Sequence, residues 1–307
     1  MTSQTGSERR PRVALETTLL VHGVPSAEGP SLARRLSEIV RARGAEPAVV
    51  GVVDGAPIAG LSDGQLEQLL RRGRERPGSV AKVNTSNLGA ALFRGQAAAT
   101  TVSTTMEIAS RAGIGVFATG GLGGVHRSAI GGGPGWDVSS DLVALTRFPI
   151  CVVASGVKSI LDVPATREVL ETLGVPVIGF RTDDFPVFYM RRHPTEHVNA
   201  CDARFDDAEE LARFVRFELA RTNRGVLVVN PIPGEHEISA ADWARWLAAA
   251  EARAQGDGTA KGRDATPRVL AALHEVSAGA TLRSNIELVA NNADLAAQIA
   301  VGMVRPG

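Results

Sequence analysis

Short apolar runs without polar alternation recur along the chain at residues 13–21, 48–53, 116–118, 150–154, 176–180 and 225–233. Unbroken runs rich in β-branched residues are what strands buried on both faces of a parallel sheet present. Between them, residues 26–44, 164–173 and 207–222 carry apolar positions at helical spacing, and Gly44 and Gly174 close the first two. Asp54-Gly55 predicts a hairpin turn into a short partner at 56–59, and Ser62 is placed to cap the helix that follows. Residues 80–83 read as a short strand. The small, hydroxyl-rich stretch 95–106 leads into a predicted helix at 107–112. A further helical pattern begins at Ser159, and 139–145 is helical in spacing. Charges, aromatics and prolines mix in 181–200, which predicts a loop-rich flank of an active site with an edge strand. Helices are predicted at 239–254, 266–277 and 281–302, with a polar loop at 256–264. The pattern predicts an α/β fold: a single large domain over 13–307, a mostly parallel central sheet flanked by helices, and a helical C-terminal region. Residues 1–12 are polar, lack an apolar segment, and read as a disordered tail.

Composition narrows the function classes. The 33 basic and 33 acidic residues balance to zero net charge, which gives no electrostatic case for nucleic acid or an anionic membrane. No apolar run approaches the length that spans a bilayer. Cys151 and Cys201 form no disulfide framework, and the expected compartment is the cytoplasm.

The chemistry concentrates in residues 117–162. Lys158 follows the buried-looking strand 150–154, and ligands of open α/β sheets bind beyond the carboxyl ends of strands. An amine in a partly dehydrated pocket is a usable nucleophile toward a sugar carbonyl. Thr119-Gly120-Gly121-Leu122-Gly123-Gly124 is either a phosphate-binding nest or a plain turn, and His126 and Arg127 beside it favour the nest. Glu16 lies within the run 13–21, where a carboxyl needs an ion-pair partner or a catalytic task. Lys82 sits in the short strand 80–83, either facing solvent on an edge or pairing with a ligand phosphate. Thr101 and its neighbours suit a helix N-terminus facing a polar ligand, or ordinary capping. Metal-ligand spacings are poor: a bound metal would be a hard ion on oxygen ligands and water, anchored by Asp141 or Asp137. Asp137 is alternatively a helix N-cap, and Glu235-His236-Glu237 reads as a solvated turn.

Nine segments in order, ALETTLLVHGVP, AKVN, ATTVSTTM, FATGGLGGVHR, WDVSSDL, SGVKSILD, GVPVIGF, VVNPIP and SNIELVANNA, closely resemble the pseudouridine-5′-phosphate glycosidase family over residues 13–302. The resemblance implies an α/β enzyme, usually a homotrimer, that uses a divalent metal such as Mn2+. It implies reversible cleavage of the C–C glycosidic bond of pseudouridine 5′-phosphate to uracil and ribose 5-phosphate. Carried over by motif, Lys158 becomes the Schiff-base nucleophile, Glu16 the general acid/base, and Asp141 the metal anchor. Lys82, Thr101, Val102, Thr119, His126, Ser139 and Asn285 become substrate contacts. The implied partners are a sugar phosphate and a nucleobase or other aromatic acceptor. Two departures stand on the acceptor side. The segment TSNLGAALFRGQ after AKVN differs from the family pattern, and the loop SAIGGGPGWDVS is longer. Relatives that join ribose 5-phosphate to natural-product aromatics make a C-ribosylating synthase the alternative. An inactive sugar-phosphate-binding protein is the alternative of another class.

Overall fold

The computed structural model describes residues 10–127, 137–194, 200–256 and 265–304. Their strands join in one ten-stranded sheet of order β4-β5-β2-β1-β6-β7-β10-β8-β9, with β3 paired to β2 off this path. The central strands are β1 (Arg12–Glu16), β6 (Val116–Ala118), β7 (Cys151–Ala154) and β10 (Val226–Val229), all parallel to their neighbours. On one side lie β2 (Glu46–Val53), the hairpin partner β3 (Ala56–Ala59), β5 (Ala98–Thr100) and β4 (Ala81–Val83). On the other lie β8 (Val177–Phe180) and β9 (Ala203–Phe205). Only the β2–β3 and β2–β5 pairings are antiparallel, so the sheet is mostly parallel as expected. Every residue of β6, β7, β8 and β10 is buried, which requires cover on both faces and accounts for their unbroken apolar sequences.

Helices α1 (Gly29–Ala42), α2 (Asp63–Glu75), α3 (Leu88–Phe93), α4 (Val102–Arg111), α5 (Ser140–Arg147), α6 (Val163–Thr172) and α7 (Ala208–Thr222) connect the strands. Then come α8 (Ala240–Gly256), α9 (Ala265–Val276) and α10 (Ala280–Val304). The last, 25 residues long, packs between α1 and α7 and against β1, β6 and β7. Among the described residues no helix is both long and apolar enough to cross a membrane.

Local chemistry explains most boundaries. Asp54 (φ 47°) and Gly55 (φ 80°) supply the left-handed turn of the β2–β3 hairpin. Ser62 and Gln65 form a reciprocal capping box on α2. Asp162 caps α6 and Asp207 caps α7, each through a side-chain oxygen.

Several boundaries differ from the sequence reading. The strand placed at 13–21 begins at Arg12 and ends at Glu16; the chain then winds into a π-helical turn, Leu19–Gly23. Glu16 is thus a strand-end residue, and the tail reading fails at Arg12; residues 1–9 lie outside the described ones. The helix placed at 107–112 starts five residues earlier, at Val102, because Thr101 is extended and leaves the hydroxyl-rich residues helical. The strand β5 before it was not anticipated; its Ala-Ala-Thr sequence carries little strand signal. No helix starts at Ser159: residues 159–160 turn, and α6 waits for the Asp162 cap. The strand of the 181–200 flank lies beyond it, as β9, and residues 195–199 lie outside the described ones. So do 128–136, which hold Trp136, and 257–264 of the polar loop.

Candidate active site

A cavity of about 360 Å3 opens beside the ends of β1 and β7, within the range of small-ligand sites. Its wall includes Glu16, Lys82, Lys158, Asp141, His126 and Ser139, with Thr101 and Val102 at the start of α4. Residues separated by up to 142 positions in sequence therefore meet. The sheet order explains how: β1 and β7 flank β6, so their ends stand about 10 Å apart, two strand spacings. A lysine side chain from one end reaches across most of that gap.

Glu16 ends β1 half-buried, and its Oε1 accepts a short hydrogen bond from the Thr119 hydroxyl. Burial pushes its proton affinity above the ordinary carboxylate value of 4.5. The Lys158 ammonium and the Thr119 hydroxyl pull it down, Asp141 pushes it up, and Lys82 pulls it down; burial wins. A carboxyl whose proton affinity is raised by burial holds a proton more readily than an exposed one, as a group that must both give and take a proton requires.

Lys158 is half-buried and sits two residues past Gly156, whose φ of 74° turns the chain out of β7. A Cβ on Gly156 would lie 1.8 Å from the Pro186 carbonyl oxygen, so only glycine allows this approach. The Lys158 amide donates to the Leu122 carbonyl at 3.1 Å, fastening the lysine's backbone to the glycine loop. Next to it, the Ser159 hydroxyl donates to the Val187 carbonyl at 2.6 Å.

Asp141 is buried in the first turn of α5, capped by Ser139. Its Oδ1 accepts from the Ser103 amide at the start of α4, and its Oδ2 from the Gly123 amide, both at 2.9 Å. This corrects two sequence readings. The anion held by the Gly123 amide and by the α4 N-terminus is the protein's own carboxylate. Gly120 and Gly121 meet the Phe188 ring and Gly124 meets Thr166, so close packing is what excludes side chains there. Among the described residues no group of three His, Cys, Asp or Glu side chains is arranged to hold a metal. Asp141 nevertheless fits a hard ion: each of its oxygens keeps a second lone pair, and Asp137 stands on the same cavity wall. Such an ion would be held by carboxylate and water.

The remaining expectations divide. Lys82 is on the sheet-edge strand β4 and on the cavity wall. His126 lies on the wall with Nδ1 3.9 Å from Asp137, while Arg127 bonds the Ser159 and Leu161 carbonyls and serves structure. Thr119 is buried, gives its hydroxyl to Glu16 and is not on the cavity wall. Asn285 is not on the cavity wall: it is buried behind Gly120, its Oδ1 without a hydrogen-bond partner. Asp137 is outside α5 and does not cap it. Glu235 and Glu237 are exposed and His236 is half-buried, with the turn expected of them, and Gly234–His236 closes as a short 3-10 helix. The sequence reading gave no role to Thr18, Asn84, Val138, Ser140 and Leu161 on the wall, although all five lie inside the segments that carry the resemblance.

Comparison with known proteins bears on the fold and the family. The family described as "Indigoidine synthase A like protein" matches residues 2–302. A pseudouridine-5′-phosphate glycosidase of Symbiobacterium thermophilum is 46% identical over 96% of this chain and 93% of its own. One of Sorangium cellulosum is 42% identical over 97% and 90%. Among solved structures, an indigoidine synthase A-like protein of Thermotoga maritima superposes with a TM-score of 0.83 at 37% identity, covering 96% of this chain and 94% of that one. The prealnumycin C-glycosynthase AlnA, solved with ribulose 5-phosphate, gives 0.82 at 33%, covering 96% and 92%.

Proposed function

We propose that this chain, which belongs to the indigoidine synthase A like family, is a C-glycosidase that cleaves pseudouridine 5′-phosphate with water to uracil and ribose 5-phosphate. The observation that carries this reading is the meeting of one half-buried lysine and one carboxyl of raised proton affinity on a single cavity wall. A carbon leaving group cannot be released by protonating a glycosidic oxygen, so the usual two-carboxylate scheme does not serve.

The residues support a stepwise route. The Lys158 amine bonds to C1′ as the C1′–O4′ bond breaks, and Glu16 supplies the proton that O4′ takes up. Glu16, now a carboxylate, takes the proton from the attached nitrogen, whose freed lone pair forms the iminium as the C1′–C5 bond breaks toward the base, and C5 receives that proton back from Glu16. Water adds to the iminium carbon, the amine departs, and ribose 5-phosphate leaves as its aldehyde. Every step reverses, so the same site forms C-ribosides. Lys82 on the cavity wall supplies a cation suited to a phosphate, with the His126 ring on the same wall. Asp141, with water, would hold a divalent ion such as Mn2+, which would supply positive charge near the sugar phosphate.

A second reading, a synthase joining ribose 5-phosphate to an aromatic acceptor, draws on the likeness to AlnA. One assay separates them. The protein is incubated with pseudouridine 5′-phosphate, and uracil and ribose 5-phosphate are followed by chromatography. Release of both is expected; turnover only with ribose 5-phosphate plus an aromatic acceptor would transfer the assignment to the synthase. Borohydride with ribose 5-phosphate is expected to leave one reduced sugar phosphate per chain, on Lys158. An adduct on Lys82, or retained turnover in Lys158→Ala, would remove Lys158 from the mechanism.

A further inference from the structure

Asn292 lies on α10, outside the cavity wall, and is completely buried. A primary amide at zero exposure is costly unless both its ends are bonded. Here both are. Its Nδ2 donates to the Thr119 carbonyl at 2.8 Å and to the Ser155 hydroxyl at 3.1 Å, with the Gly120 carbonyl at 3.4 Å. Its Oδ1 accepts from the Asn230 amide nitrogen at 3.2 Å. The Ser155 hydroxyl passes its own proton to the Asn230 carbonyl at 2.9 Å.

The partners are not arbitrary positions. Thr119 follows the last residue of β6, Ser155 follows the last of β7, and Asn230 follows the last of β10. These strands are adjacent in the sheet. One amide from the C-terminal helix therefore ties three neighbouring strand ends into a network with no unmet bond. Two of those ends carry the chemistry. Thr119 gives its hydroxyl to Glu16, on the next strand over, and Ser155 opens the turn that delivers Lys158 three residues later. A leucine-like side chain could fill the same volume. A fully satisfied polar network in the core instead fixes one arrangement of its members.

We propose that Asn292 is a positioning residue of the reaction: acting with Ser155 and Asn230, its buried amide sets where the Glu16 carboxyl stands relative to the Lys158 amine. It touches neither reacting group and acts through the Thr119 and Ser155 loops. The proposal rests on the C-glycosidase reading above, and its consequence is kinetic. Misplacing reacting groups by about 1 Å costs roughly 10²-fold in rate while binding contacts remain.

The test compares wild type with Asn292→Leu and Ser155→Ala, after circular dichroism has established folding, at a temperature well below each melting point. Steady-state turnover of pseudouridine 5′-phosphate gives kcat and KM. The rate of borohydride-trapped adduct with ribose 5-phosphate gives a second readout that needs no acceptor. Asn292→Leu is expected to lower kcat and the trapping rate by ~10²-fold with KM within about twofold, and Ser155→Ala to lower kcat by ~10-fold. A folded Asn292→Leu protein with kcat and trapping within about threefold of wild type would overturn the proposal, since a plain core staple loses stability and not rate. So would a raised KM at unchanged kcat. Should Asn292→Leu not fold, a Ser155→Ala protein with wild-type kcat and trapping overturns it equally. Wild type that traps ribose 5-phosphate but leaves pseudouridine 5′-phosphate intact fails the glycosidase assignment alone, and the trapping rates still decide on Asn292.

Discussion

Asp141→Asn separates what the carboxylate does for the fold from what it does for a metal. In the folded protein its two oxygens each accept a backbone amide, Ser103 and Gly123, at 2.9 Å and in a buried setting. Bonds to a charged acceptor contribute about 1.5–3 kcal/mol each, against about 1 kcal/mol for a neutral one. Asparagine keeps one acceptor oxygen, so one bond weakens by about 1 kcal/mol. Its amino group then faces the other backbone N–H, leaving a buried donor unpaired at a cost of about 2 kcal/mol. The sum is ~3 kcal/mol, lost whether or not a metal is present. With roughly 2.1 cal/mol/K of unfolding entropy per residue, a 307-residue chain has about 0.6 kcal/mol/K, so Tm is expected to fall by about 5 °C. The assay is differential scanning calorimetry of both proteins in EDTA. Equal Tm values under chelation would refute the stapling argument and leave Asp141 as a metal ligand alone.

Glu16→Gln is expected to lower kcat by ~10²-fold or more, the scale of losing a general acid or base, and near-normal turnover would make Glu16 a structural charge. The same variant has a pH signature. Burial raises the folded-state proton affinity of Glu16 above its ordinary 4.5, so its contribution to stability is complete below that pH and is lost as pH rises through the folded value. The melting point of Glu16→Gln relative to wild type should therefore increase with pH above about 4.5; a constant difference across the range would mean that burial does not dominate at this carboxyl. Exhaustive EDTA treatment is expected to abolish turnover and Mn2+ to restore it, and full activity after chelation would remove the metal from the reaction.

The sheet was readable wherever a strand is buried on both faces, because a short continuous run of Val and Ile suits little else in a chain of this kind; β6 was located to the residue, and β7 and β8 to within one. It was less readable where the strand signal is weak, as in the Ala-Ala-Thr of β5, or where a turn competes, as at the π-helical end of 13–21. Lys158, Glu16, Lys82 and Asp141 were each singled out by motif, and the sheet order brings them to one cavity wall. Thr119 and Asn285 lie off the cavity wall, which the sequence could not show. Nothing in a sequence says whether a polar side chain beside a site faces the ligand or another residue. The Asp141–Gly123 contact, between residues 18 apart, was invisible on the same ground.

The Asn292 network also fixes when, during synthesis, this protein can become reactive. Glu16, Thr119, Ser155 and Asn230 all leave the ribosome before the residue that joins their strand ends, since Asn292 lies 62 positions beyond Asn230. Contacts over such separations form late, after loop closure has been met. A nascent chain thus carries its lysine and its carboxyl through most of translation without the arrangement that makes them a pair. On the proposed mechanism, the Lys158 amine and the Glu16 carboxyl are set against one another only once the last helix, which follows every strand of the sheet in sequence, has docked.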